Sequence, residues 1–229
     1  MSAILSRLLG RRPEAPPRPA KAAAWRAMPI REARFVAFDT ELTGLDFRRD
    51  SLVSVGAVAM SGGSILPAQA FHRLVRPASE LRADSVVVHG ITHSDLERHG
   101  EEAATVLADF AQFVGDAVLV GHCVGIDRHF LNRARKALGW PALANPLVDT
   151  AALHRWLQEQ DLDFSRHHRG MTLKTDLFSM AKRYGVPVEE AHNALYDAFV
   201  TAQLLQRFLP FLIASGVDTV GRLLRAGKP

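Results

Sequence analysis

A single cysteine, Cys123, stands among 229 residues, so neither an internal disulfide framework nor a four-cysteine zinc site can be built, and a reducing compartment fits. Nowhere do about eighteen apolar residues follow one another, which leaves no candidate membrane span in the sequence. Residues 1 to 28 lack the apolar core of a secretory signal, and the cytoplasm is the expected location. Internal repeats are absent as well.

The net charge of +4 is unevenly placed. Residues 1 to 34 carry eight Lys or Arg against Glu14 and Glu32, a net of +6, which leaves −2 for the remainder. Rich in Arg, Pro and Ala, residues 1–32 read as a flexible basic arm that cannot bury enough apolar surface to fold. Such an arm can touch nucleic-acid phosphates or anionic lipid, or simply stay solvated. The body is expected over residues 33–212, with a short tail over 213–229.

Within the body, "RFVAFDT" and "SLVSVGAVAM" read as buried strands, and the alternation of "QAFHRLVRP" after the turn signal "SGG" gives a third. Short connections make these an antiparallel meander. "SDLERHGEEAATVLADFAQFVG" reads as one helix, "AVLVG" as a strand, and "IDRHFLNRARKAL" as a helix closed by Gly139 and Pro141. "PLVDT" is a further short strand, with Asp149 or Thr150 placed to cap the helix "AALHRWLQEQ". Two more helices follow, from "LKTDLFSMAKRYGV" to "NALYDAFVTAQLLQRFLPFL". The pattern implies one mixed sheet in an α/β fold with helices on both faces.

Five polar residues sit badly in that scheme. Asp39 and Glu41 end the first strand, and the period of two puts them on one face, where like charges are unfavourable unless a cation lies between them. Either both acids are solvated, or a hard divalent ion completes the strand end. Asp127 heads the stripe Phe130, Leu131, Ala134, Leu138, and Asp197 heads the stripe Val200, Leu204, Phe208. A buried carboxylate needs a strong partner; for Asp127 a helix-capping role is the alternative. His192, five residues before Asp197, is then the natural proton acceptor of the set.

These residues carry a resemblance to a known family. "FDTELTGL" resembles the D-x-E-T-T-G motif, "GHCVGID" the H-N-x-x-F-D motif and "HNALYD" the H-x-A-x-x-D motif of the DEDDh 3′→5′ exonucleases, whose members include the epsilon proofreading subunit of bacterial DNA polymerase III. The resemblance covers about residues 33 to 210 and implies a ribonuclease-H-like fold, a central mixed β-sheet flanked by helices. It implies that Asp39, Glu41, Asp127 and Asp197 bind two Mg²⁺ or Mn²⁺ ions and that His192 takes the proton from the attacking water. The expected substrate is the 3′ end of single-stranded nucleic acid, DNA favoured over RNA, with a DNA polymerase as a possible partner and nucleoside 5′-monophosphates as products. RNA 3′-end trimming and a low-turnover accessory module are the alternatives.

The same resemblance assigns the backbone at Leu42, Thr43 and Gly44 to the terminal nucleotide and Leu45 to its base, unless Leu45 is an ordinary core residue. His89 is placed by the substrate or in a structural turn. Cys123 replaces the family's Asn, Leu42 its Thr and Ile126 its Phe; all three belong to the layer against substrate, not to the metal ligands. Arg166, His167, His168, Arg169 and Lys174 form a basic stretch that either guides phosphates or is a solvated loop.

Overall fold

In the computed structural model, residue 15 and residues 23–160, 175–189 and 191–229 are described. The basic stretch Arg166–Lys174 and most of the basic arm lie outside these residues.

Five strands form one sheet in the order β3-β2-β1-β4-β5. β1 (Arg34–Leu42) is central, antiparallel to β2 (Leu52–Ser61), which pairs antiparallel with β3 (Ser64–Leu74). On the other side β1 runs parallel to β4 (Val118–Gly121), and β4 to β5 (Leu147–Asp149). The continuous apolar run of β1 is explained by cover on both faces. Phe35 and Ala37 join Val58, Met60 and Val120 in the core on one face, and Val36 and Phe38 join Val55, Ala57 and Leu119 on the other.

The helices divide between these faces. α1 (Ala23–Arg26), α6 (Thr150–Gln160), α7 (Leu177–Arg183), α8 (Ala194–Ala214) and α9 (Val220–Ala226) contribute Trp25, Leu153, Met180, Phe208 and Leu223 to the Phe35 side. α4 (Ala103–Val114) and α5 (Gly125–Ala137) contribute Phe110, Phe130 and Leu131 to the Phe38 side. Asp39 and Glu41 have the parity of Phe35 and Ala37, so the sheet aims both at α8.

Several expectations are corrected. The long helix after β3 is two, α3 (His93–His99) and α4, because the chain turns at Gly100 and returns to the sheet, where Glu101 bridges Val75. A Cβ on Gly100 would meet the carbonyl of Leu96. α2 (Ala83–His89) is an additional helix. The limits at residues 32 and 213 do not separate arm and tail from the body. Trp25 and Ile30 are buried, Pro29 bridges Thr219, and Ile30 N–H donates to the Asp218 carbonyl at 2.9 Å. Val220, Leu223 and Ala226 belong to the core, and the Gly227 carbonyl accepts from Asp149 N–H at 2.9 Å. The two flanks cover each other and the sheet edge, a long-range pairing that no local pattern encodes.

Candidate active site

The carboxylates converge where β1 ends between α5 and α8. One oxygen each from Asp39, Glu41 and Asp197 lie within 4.8 Å of one another. α8 brings in Asp197, and Gly56 makes that approach possible. Gly56 is the cross-strand partner of Asp39, and a Cβ there would overlap the backbone of Ala194 and Leu195 at the start of α8. Asn193 caps the helix by accepting from Leu195 N–H at 3.1 Å and Tyr196 N–H at 3.2 Å.

Asp127 arrives from the other face. It is buried in the first turn of α5 and is not the cap, a position held by Val124. Its Oδ1 accepts from Thr40 N–H at 3.0 Å and Thr40 Oγ1 at 2.7 Å, which ties α5 to the residue between Asp39 and Glu41. Asp149 stabilises the entry of α5, accepting from Cys123 N–H at 3.3 Å and Val124 N–H at 3.0 Å. It also caps α6 through Ala151 N–H at 2.8 Å, so one carboxylate serves two helix starts.

Burial and mutual repulsion perturb the cluster strongly. Asp39 is raised well above the usual carboxylate range, by burial first and then by Asp127, Glu41 and Asp197. Glu41 is pushed up to about 7 by burial and by Asp197 and Asp127. Asp127 also rises to about 7 through burial, although the hydrogen bonds from Thr40 oppose the shift. Asp197 reaches about 7 by burial against the opposing His192 N–H, and its Oδ1 is buried without a hydrogen-bond partner among the described residues. An all-oxygen donor set with an orphaned carboxylate oxygen and disfavoured negative charge fits a hard divalent cation.

His192 and Cys123 are the two non-glycine residues with positive φ among those described, +63° and +53°, and both stand in loops entering the site. His192 N–H donates to Asp197 Oδ2 at 3.2 Å, its ring is exposed, and Phe178 lies against it with ring centroids 5.1 Å apart. Cys123 is exposed. His89 holds the turn at Gly90, its Nδ1 accepting from Ile91 N–H at 3.0 Å. Burial and the nearby His192 hold its imidazole below the ordinary histidine value.

The loop after β1 is built from within. Leu42 is buried, and Thr43 is fully buried with Oγ1 donating to Asp50 Oδ1 at 3.1 Å and lying 2.9 Å from Ser79 Oγ. A Cβ on Gly44 would run into the Asp50 carboxylate. Leu45 is 70% exposed, so it is not a core residue. Arg133 of α5 fastens this loop from outside, donating to the carbonyls of Phe47, Arg48 and Asp50.

Sequence reasoning missed Thr40, Gly56 and Phe178. The isolated glycine inside a buried strand pattern was a usable sign of close backbone approach. For Phe178, whose partner is fourteen residues away, no local signal exists.

Comparison with known proteins agrees with this architecture. The exonuclease family RNase_T matches residues 36–205. The PolC-type DNA polymerase III of Bacillus subtilis (strain 168) is 31% identical over 190 residues, covering 82% of this chain and 12% of that protein. The corresponding polymerase of Oceanobacillus iheyensis is 32% identical over 187 residues, with the same coverage. The chain therefore spans only about an eighth of the length of these relatives. Among solved structures, Exonuclease X in complex with 5′-overhanging duplex DNA superposes with a TM-score of 0.61 at 22% identity, over 85% of this chain and 99% of that one. Escherichia coli Exonuclease I in complex with a dT13 oligonucleotide gives 0.66 at 17% identity, over 76% and 40%.

Proposed function

The chain belongs to the exonuclease family, and from that premise we propose that it is a 3′→5′ exonuclease that removes nucleoside 5′-monophosphates from single-stranded DNA ends. The observation that carries the proposal is the convergence of Asp39, Glu41 and Asp197 within 4.8 Å, with Asp127 tied to the same strand end through Thr40.

Asp39, Glu41 and Asp197 are the residues to hold a first Mg²⁺ or Mn²⁺, with Asp39 and Asp127 serving a second. Bound there, such ions would supply positive charge at the reacting phosphate. Every other part of the chemistry falls to the chain. His192 accepts the proton of the attacking water; its exposed ring can pass that proton to solvent, while its backbone is held to Asp197. The backbone of Leu42, Thr43 and Gly44 positions the terminal nucleotide, on a loop made rigid by Asp50 and Arg133. Leu45, projecting into solvent beside them, meets the terminal base, and His89 and Cys123 border the same nucleotide. The similarity to PolC-type polymerases supports service beside a DNA polymerase, in the cytoplasm.

The test is a time course on matched 5′-labelled DNA and RNA oligonucleotides with Mg²⁺, Mn²⁺ or EDTA, beside the Asp39→Ala protein. A metal-dependent ladder shortening from the 3′ end of DNA, absent in the variant, is the expected result. A faster ladder on RNA would move the assignment to RNA 3′-end trimming. Retained binding without any ladder would make the domain an accessory module.

A further inference from the structure

The backbone of His192 is fixed from below. Its left-handed φ, its N–H to Asp197 and the Asn193 cap leave the main chain one path into α8. The approach is pinned by Tyr196, whose hydroxyl accepts from Glu189 N–H at 2.7 Å and donates to the Pro187 carbonyl at 3.3 Å. None of these bonds touches the imidazole. An exposed histidine with free torsions populates several rotamers, of which few would point a ring nitrogen at the attacking water.

The ring meets Phe178, at 5.1 Å between centroids and 80° between planes, an edge-to-face arrangement. Phe178 lies on α7, and α7 is clamped at both ends. Ahead of it, the Thr175 carbonyl accepts from His122 Nε2 at 2.6 Å, while His122 Nδ1 shares a 2.8 Å hydrogen bond with Thr150 Oγ1. Behind it, the Tyr184 hydroxyl pairs with Nδ1 of the fully buried His154 at 2.7 Å. His154 and Tyr184 both pack on Phe208 of α8, the helix that carries Asp197. The seven-residue helix, which also buries Leu177, Met180 and Ala181, is thus tied to the same scaffold as the carboxylates.

Resting on the assignment of His192 as the base, we propose that Phe178 is a positioning residue that holds the His192 imidazole in its working orientation, and that α7 is clamped to deliver it. Phe178 touches neither substrate nor metal in this scheme. Its removal should therefore lower the turnover step while leaving substrate affinity alone.

The experiment compares Phe178→Ala, Phe178→Leu and Phe178→Tyr with the wild-type chain. Expected are a fall in kcat of about three- to tenfold for the Ala and Leu variants with KM unchanged, and near wild-type turnover for Tyr, which keeps the ring. In parallel, the His192 ring resonance, assigned by its loss in His192→Gln, should move toward the position of a free histidine in Phe178→Ala and stay in Phe178→Tyr. Unchanged kcat in Phe178→Ala, an unmoved resonance, or a proportional rise in KM would each overturn the proposal. Wild-type turnover by His192→Gln would overturn the base assignment instead, and the resonance comparison, made without substrate, keeps the two failures apart.

Discussion

Gly56 and Ala194 share one space: the backbone of Ala194 occupies the position that a side chain on Gly56 would need. The contact lies directly across the sheet from Asp39, so the distance between strand and helix there sets the spacing of Asp39 and Asp197. Gly56→Ala should cost about 1–3 kcal/mol, because the clashing atoms are backbone and have no rotamer to yield. Urea denaturation of the metal-free proteins measures it; a loss under about 0.5 kcal/mol would mean that α8 can slide without penalty.

The raised carboxyls give a signed pH dependence. A carboxylic acid with a folded-state pKa near 7 and an unfolded value near 4 binds more protons when folded between those limits, so its contribution to stability falls as pH rises through that window and is level above it. His72, His89 and His122, held low by burial, act in the opposite sense near neutral pH. The comparison of wild type with Asp39→Asn isolates the carboxyl share. Without metal, Asp39→Asn should melt higher than wild type by about 3 °C or more at pH 8, with the gap shrinking at pH 4.5. Mg²⁺ or Mn²⁺ should raise wild-type Tm at pH 8 and move the variant little. An equal response to metal in both proteins would remove Asp39 from the ligand set.

The mixed sheet, its buried first strand and the carboxyl cluster were legible because each leaves a periodic trace. β1 is apolar on both faces, and Asp127 and Asp197 stand on stripes that otherwise enter the core. What stayed illegible depends on partners far along the chain. Thr40 reads as an ordinary strand residue until Asp127, 87 positions later, accepts its hydroxyl. Leu45 reads either as a contact to the terminal base or as a core leucine, and only the loop geometry set by Asp50 and Arg133 turns it outward. The break at Gly100 hides inside a helical composition because the return of Glu101 to β3 is a tertiary event.

Cys123 stands where the related motif has Asn, and it adopts φ +53°, a conformation that Asn tolerates better than Cys. Cys123→Asn should therefore stabilise the fold by about 0.5–1 kcal/mol without touching the ligands. Thermal melts decide it, and a lower Tm in the Asn variant would show that the thiol contributes packing worth more than the backbone strain.

The basic arm is best tested by two truncations. Removing residues 1–22 deletes most of the basic charge and leaves Trp25 and Ile30 in place; removing residues 1–32 takes both buried side chains and the bridge from Pro29 to Thr219. Burying such a side chain is worth about 1.5–3 kcal/mol, and α9 would lose its cover, since Val220 N–H donates to the Met28 carbonyl and Gly221 packs on Arg26. The longer truncation should melt lower than the shorter one by about 6 °C or more, while the shorter one hydrolyses short oligonucleotides at the full-length rate. Equal melting temperatures would return residues 23–32 to the arm. A tenfold fall in kcat on losing only residues 1–22 would show instead that the arm takes part in holding substrate.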